Sequence, residues 1–250
     1  MNFLSDALSY IGTASHWTGT SGLGVRIGEH LEYTAMALLA AVVIAVPLGL
    51  FIGHTGRGTF LVVSAVNALR ALPTLGVLLL GVLLWGLGLV PPTVALLLLG
   101  VPPLLAGTYS GIANVDRTVV EAARAMGMTQ RQVLFGVEVP NALPLILSGL
   151  RTATLQIVAT ATVAAYASLG GLGRYLIDGI KVRQFHLALV GAIMVTALAL
   201  LLDAVLALAV WLSAPGTGRL RPVPVLPDRE GHVGYADGGV STGATPRSPG

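Results

Sequence analysis

Long runs of apolar residues alternate with short polar segments along the chain, and the runs are long enough to predict helices that cross a membrane. A helix of about twenty apolar residues spans the hydrocarbon core of a bilayer. Five such runs are present, at about residues 33–52, 63–89, 92–112, 145–168 and 187–212. We therefore predict an all-α integral membrane protein with five transmembrane helices.

The two ends of the chain differ in composition from this apolar centre. The beginning is mixed and glycine-rich, whereas the end is rich in Pro, Gly and Ser. Segments rich in Pro, Gly and Ser bury too little apolar surface to fold. The pattern predicts an N-terminal segment at 1–28, a membrane domain at 29–213 and a disordered tail at 214–250.

One long polar stretch, residues 116–149, separates the third run from the fourth. Asp116 precedes an amphipathic segment, and aspartate commonly caps the first turn of a helix. Gly127 follows that segment, and glycine readily adopts the left-handed conformation that ends a helix. We predict a first short helix between these two residues.

A second short helix is predicted after this glycine. Thr129 and Gln132 have the spacing of a capping box, in which each side chain bonds the backbone amide of the other residue. Proline lacks an amide hydrogen and restricts the residue before it. The second helix is therefore expected to end at two prolines, Pro140 and Pro144.

Polar residues follow one face of the fourth predicted span. Residues four apart share one side of a helix, and the polar row formed in this way is Ser148, Thr152, Gln156 and Thr160. The neighbouring row, beginning at Gly149, is mostly small, which lets helices pack closely. Two interpretations are open: a contact with another helix or subunit, and the lining of a polar route through the membrane.

Two irregular features lie inside other apolar runs. Asp203 is in the last run, where an ionised side chain must face protein and have a partner; a structural hydrogen bond is favoured over a role in transport. Pro102 and Pro103 lie near the middle of the third run. They are compatible both with a bent helix that lines a pathway and with a packing kink.

Composition excludes a soluble enzyme. Hydrophobic residues make up 54% of the chain and charged residues 10%, against about a quarter charged in soluble domains, and the mean hydropathy is +0.83. Cysteine is absent, which excludes a thiolate metal site. Lys181 is the sole lysine and lies between Ile180 and Val182, so the Gly-Lys-Ser or Gly-Lys-Thr of a Walker A loop is missing. We expect no catalytic residue, metal, cofactor or nucleic-acid partner, and any ATP hydrolysis must belong to another subunit.

The polar stretch also carries a motif: Glu121-Ala122-Ala123, then Gly127, then Leu143-Pro144. It resembles the EAA loop of binding-protein-dependent ABC importer permeases with the type I fold. The resemblance implies a cytoplasmic helix-turn-helix coupling loop at residues 116–145 that docks on ATPase subunits. It also implies two further partners, an extracytoplasmic substrate-binding protein and a second permease subunit, identical or homologous. The implied coupling residues are Glu121, Ala122, Ala123, Gly127, Leu143 and Pro144.

A second resemblance narrows the solute. The segments 148–154, 159–165 and 170–173 are similar to those of the glycine betaine, choline, carnitine and proline permeases, and the likeness spans about residues 28–212. It implies import of an osmoprotectant. The alternatives are a permease for methionine or another small amino acid, and an ATP-independent channel or secondary transporter.

The distribution of basic residues gives an expected orientation. With the motif loop in the cytoplasm, five spans place the amino terminus outside and the carboxyl terminus inside. The inner segments then carry eight basic residues and the outer segments four, as the positive-inside rule requires. We expect a multi-pass protein of a prokaryotic plasma membrane, in contact with the lipid bilayer.

Overall fold

The structure, a computed structural model, describes residues 2–213, except for the side chains of residues 61–63 and 65. The predicted tail at 214–250 lies outside these residues. The part described is helical, and its α-helices are α1 Phe3–Gly12, α2 Leu23–Thr55, α3 Thr59–Ala71, α4 Thr74–Trp85, α5 Val90–Ala113, α6 Arg117–Ala125, α7 Gln130–Val133, α8 Val139–Thr160, α9 Gly173–Lys181 and α10 Phe185–Ser213. Ala14–Trp17 and Ala161–Ala167 form 3₁₀ turns, and Leu134–Glu138 forms a π-helical turn.

Four helical segments in the described part are long and apolar enough to cross a membrane: Leu23–Thr55, Val90–Ala113, Gln130–Ala167 and Phe185–Ser213. The all-α prediction is confirmed, but the predicted count of five spans is not. The difference lies in the second predicted run. Its apolar part is α4, with 12 residues, which at 1.5 Å per residue reaches about 18 Å, against the roughly 30 Å of a hydrocarbon core.

The break between α3 and α4 explains this shortfall. Leu72 is in an extended conformation, with φ −71° and ψ 129°, as expected for a residue that precedes a proline. Pro73 then precedes the first turn of α4 and lacks the amide that would continue α3. Pro73 therefore divides the second predicted run into two short helices.

The first predicted span is part of a longer helix. α2 begins at Leu23, within the segment that the sequence shows as mixed and glycine-rich, and ends at Gly56, which has φ 67°. The short helix α1 precedes it and packs against α10. A glycine in the left-handed conformation is a common end to a helix.

Helix α5 lies at the centre of the bundle, with α2 and α8 packed against it. α5 and α8 approach each other closely at Gly107 and Gly149, where a Cβ built on Gly149 would lie 3.0 Å from the Cα of Gly107 and 3.0 Å from the carbonyl oxygen of Pro103. Pro102 and Pro103, the two prolines near the middle of α5, are buried. Their burial favours the packing interpretation over a bend that lines a pathway.

The prediction that Pro140 and Pro144 end the second short helix is wrong. Both prolines lie within α8, which continues from the π-helical turn without interruption. Pro140 directly follows the π-helical turn, where the regular i→i−4 hydrogen-bond pattern is already interrupted. Pro144 lies inside the helix, as prolines of membrane helices often do when neighbouring groups satisfy the backbone.

Candidate coupling segment and membrane pathway

Asp116 sets the beginning of the first coupling helix, α6. Its carboxylate accepts hydrogen bonds from the amide of Thr118, at 2.8 Å, and from the hydroxyl of the same residue, at 2.5 Å. These bonds, with the hydroxyl contributing most, hold the pKa of the Asp116 carboxyl below its ordinary value. The predicted cap is confirmed.

Gly127 forms the turn between the two coupling helices. Its φ is 85°, a conformation that costs a residue with a side chain considerably more than it costs glycine. The turn is closed by bonds from the Gly127 amide to the Arg124 carbonyl, at 3.0 Å, and from the Met128 amide to the Ala123 carbonyl, at 3.2 Å. The helix ends at the position that the sequence predicts.

A capping box begins the second coupling helix, α7, as predicted. The Thr129 amide donates to the side-chain oxygen of Gln132 at 2.8 Å, and the Gln132 amide donates to the Thr129 hydroxyl at 3.5 Å. Each side chain thus satisfies an amide that the first turn of a helix leaves without a partner. The two caps fix the positions at which both short helices begin.

The six predicted coupling residues are not all on one surface. Glu121 and Ala122 are exposed on α6, whereas Ala123 is only 2% exposed and packs inward. Leu143 is partly exposed and Pro144 is half-buried, both in the second turn of α8. Gly127 is exposed at the turn. Large apolar side chains on the same segment are also open to a partner: Val119, Met126 and Phe135.

The two rows of α8 face different surroundings. In the polar row, Ser148, Thr152 and Gln156 are exposed and Thr160 is half-buried. The small row packs inside the chain, and its members Gly149, Ala153, Ile157, Ala161 and Ala165 are buried. The small residues therefore serve contacts within this chain, and the polar row is the face that is left for another subunit or for a solute.

The family of the chain follows from its sequence. Residues 45–210 match the family described as "Binding-protein-dependent transport system inner membrane component". The match covers α5, both coupling helices and α8. The chain belongs to this family. It is a membrane permease, not an enzyme, and ATP hydrolysis is carried out by separate ATPase subunits.

Two relatives of the permease come from Bacillus subtilis. The glycine betaine/carnitine/choline transport system permease protein OpuCB is 37% identical over 182 residues, which cover 73% of this chain and 84% of OpuCB. The choline transport system permease protein OpuBB is 37% identical over 181 residues, which cover 72% of this chain and 83% of OpuBB.

The fold of the permease is shared with a solved transporter. An inward-facing structure of the MetNI methionine ABC transporter gives a TM-score of 0.65, with 21% identity, covering 76% of this chain and 95% of the solved chain. At this level of identity the likeness concerns the fold alone.

Asp203, the predicted intramembrane charge of the permease, has the partner that the sequence requires. Arg151 of α8 donates from Nε at 2.6 Å and from a terminal guanidinium nitrogen at 2.7 Å to the two carboxylate oxygens of Asp203 in α10. This bidentate geometry is the strongest form of such a pair. Sequence reasoning missed Arg151, although an arginine inside an apolar span is itself a signal of a buried charge partner.

A second pair in the permease, His54 and Glu138, was also missed. The imidazole Nδ1 of His54 donates to Oε2 of Glu138 at 2.6 Å, and both side chains are nearly buried. The pair borders a cleft of about 470 Å³ between the bundle and α6, whose charged lining also includes Arg117, Glu121 and Arg124. The feature of the sequence that could have revealed this pair is the position of an acidic residue between two valines, Val137 and Val139.

At the opposite end of α2, polar contacts hold the glycine-rich break that follows α8. The Gly171 amide donates to Glu29 at 2.7 Å, and Arg26 pairs with the same carboxylate at 2.9 Å. His30, fully buried, donates from Nε2 to the Val158 carbonyl at 3.0 Å. The glycine-rich break, residues 169–173, is therefore tied to α2 by the hydrogen bond between Gly171 and Glu29.

Proposed function

We propose that this permease imports a small osmoprotectant of the glycine betaine, choline and carnitine class, driven by a separate ATPase. The observation that carries the proposal is the 37% identity, over most of both chains, to a permease of a glycine betaine/carnitine/choline transport system. The methionine transporter that shares the fold is 21% identical, which gives no comparable support to methionine as the solute.

The proposed coupling site is the exposed side of the helix-turn-helix at residues 116–138. Glu121 supplies a charged hydrogen-bonding group there, and Ala122 leaves room for a partner surface to approach. Met126 is 78% exposed beside them. A surface that combines an acid, small residues and an uncovered methionine is suited to a protein partner, and the family of the chain supports an ATPase as that partner.

The proposed transport unit contains a second permease subunit. Support comes from α8, whose polar row remains exposed in the single chain although hydroxyl and amide groups at bilayer depth need partners or water. In this proposal Ser148, Thr152, Gln156 and Thr160 line the interface between two permeases or a solute route along it. The separate substrate-binding protein selects the solute before it reaches this row.

Uptake measurements test the solute class. Cells that lack their own uptake systems for these compounds, and express the permease with its ATPase and binding protein, are expected to accumulate radiolabelled glycine betaine, choline or carnitine. The same cells without the ATPase subunit are the control and are expected to accumulate none. Uptake of methionine alone would refute the solute class, and uptake without the ATPase would show a channel or secondary transporter instead.

A further inference from the structure

Glu138 is an acidic residue with a buried side chain. In residues 2–213 it is the one carboxylate among the buried residues, and its side chain is 6% exposed. A buried carboxylate without a partner is strongly destabilising, so Glu138 needs a hydrogen-bonding partner inside the protein. That partner is His54, which is 84 residues away in the sequence and whose side chain is 13% exposed.

The two members of the pair belong to different parts of the molecule, the coupling segment and the bundle. Glu138 is the last residue of the π-helical turn, against which the coupling helix α6 packs. His54 is in the last turn of α2, two residues before the glycine that ends the helix. The pair is therefore a direct side-chain connection between the coupling segment and the first long helix of the bundle.

On the membrane side, α2 cannot move away from α5 easily at this level. A Cβ built on Gly53 would lie 2.6 Å from Cβ of Ile112, and one on Gly49 would lie 2.6 Å from Cβ of Thr108. Backbones this close move as one packed unit. A displacement that reaches His54 is therefore passed to both α2 and α5.

On the coupling side, a cleft separates α6 from the end of α2. Its walls carry Arg117, Glu121 and Arg124 from α6, and Thr55 and Tyr109 from the bundle. The main packing of α6 is against α7 and the π-helical turn. A push on α6 thus reaches the bundle through the π-helical turn, where Glu138 lies.

We propose that Glu138 and His54 are positioning residues that transmit the displacement of the coupling segment to α2 and α5. The proposal rests on the proposed coupling function. The π-helical turn fits this role, because such turns insert one extra residue into a helix and commonly occur at functional sites. The 2.6 Å hydrogen bond between two nearly buried side chains provides a stiff link that an exposed pair does not provide, since exposed pairs contribute little.

The test uses the complete transporter, with ATPase and binding protein, in phosphatidylethanolamine and phosphatidylglycerol vesicles. The quantity measured is glycine betaine imported per ATP hydrolysed. E138Q and H54Q are each expected to lower this ratio roughly tenfold, which is typical of the loss of an allosteric coupling. E32Q is the matched control, because it makes the same substitution at an exposed position of α2, and its ratio is expected to equal that of the wild type.

The exchanged variant H54E/E138H separates coupling from folding. It restores an acid and an imidazole across the same gap and is expected to bring the ratio back to within about threefold of the wild type. Copurification of the ATPase with each variant checks assembly. An unchanged ratio in E138Q, or an exchanged variant no better than the single variants, would overturn the proposal.

A failure of the proposed solute class would look different. In that case the wild-type complex hydrolyses ATP but imports none of the osmoprotectants. The pair is then tested by the stimulation of ATP hydrolysis that the binding protein produces, which is expected to fall in E138Q and H54Q and to return in the exchanged variant. Equal stimulation in all of these proteins would refute the role of the pair.

Discussion

Arg151 and Asp203 are charged side chains inside apolar helices, and their pairing joins α8 to α10. A lone charge in hydrocarbon is costly, whereas two charges with satisfied hydrogen bonds largely compensate each other. The geometry here is bidentate, with both carboxylate oxygens bound. Removing one partner is therefore expected to destabilise the permease more than removing both.

This expectation can be tested by comparing single and double variants. Asp203→Leu is expected to lower the thermal unfolding temperature of the purified permease by about 5 °C or more, because it leaves the guanidinium of Arg151 without its carboxylate. Arg151→Met combined with Asp203→Leu is expected to be more stable than Asp203→Leu alone. Thermal unfolding in detergent micelles measures both. Arg151→Met alone completes the comparison; if its effect and that of Asp203→Leu simply add in the double variant, the residues act independently and the pairing argument fails.

The distance along the chain between interacting residues explains which of them the sequence could predict. The Asp116 cap and the box formed by Thr129 and Gln132 involve residues two or three positions apart, and local chemistry determines them. Asp203 alone showed that a partner was needed, but its partner is 52 residues away. The sequence therefore predicted the need for a pair, and only the folded chain shows which arginine supplies it.

At the scale of whole helices, proline marks a helix boundary in one place and not in another, and the difference has a physical reason. Pro73 breaks its segment, as α3 and α4 show, whereas Pro140 and Pro144 are incorporated in α8. The same residue has opposite outcomes because packing decides whether a helix can continue past a missing hydrogen bond. Hydrophobic runs predicted the existence of the long helices, and their ends depended on contacts that the pattern does not contain.

The two rows of α8 show how far a helical pattern can be taken. Spacing by four placed the polar and small rows on adjacent faces, as the structure has them. Periodicity could not tell which face the chain covers itself, because that depends on α5, where Gly107 meets Gly149. The structure assigns the small row to α5 and leaves the polar row uncovered.

The natural absence of cysteine makes the uncovered row easy to probe. In the assembled transporter, Thr152→Cys and Gln156→Cys are expected to form disulfide-linked permease pairs on mild oxidation, because the proposed interface brings two copies of α8 together. Leu201→Cys, exposed on α10, is the control and is expected to remain monomeric. Non-reducing gels report the products. Labelling by a water-soluble thiol reagent without cross-linking would indicate a solute route away from an interface. If neither cross-linking nor labelling is observed, both roles are refuted.

In the molecule as a whole, α2 connects two ends that carry the polar contacts. His54 binds the coupling segment at one end, and Glu29 holds the glycine-rich break after α8 at the other. At 1.5 Å per residue these positions are about 38 Å apart along one helix. The helix is continuous over that length, with Pro47 as its one internal proline, so it physically connects the coupling end to the break on the far side.

The turn at Gly127 gives the sharpest test of coupling at this scale. Gly127→Pro is expected to leave the permease in the membrane but to reduce solute uptake at least about tenfold, because proline cannot adopt a φ of 85° and the two coupling helices lose their relative orientation. Gly127→Asn is the matched control, since asparagine tolerates the left-handed conformation, and it is expected to retain most uptake. Glu121→Lys reverses the exposed charge on α6 and is expected to reduce uptake similarly by weakening docking of the ATPase. Uptake and copurified ATPase are measured for each protein; equal uptake in the proline and asparagine variants would show that the geometry of this turn plays no part in coupling.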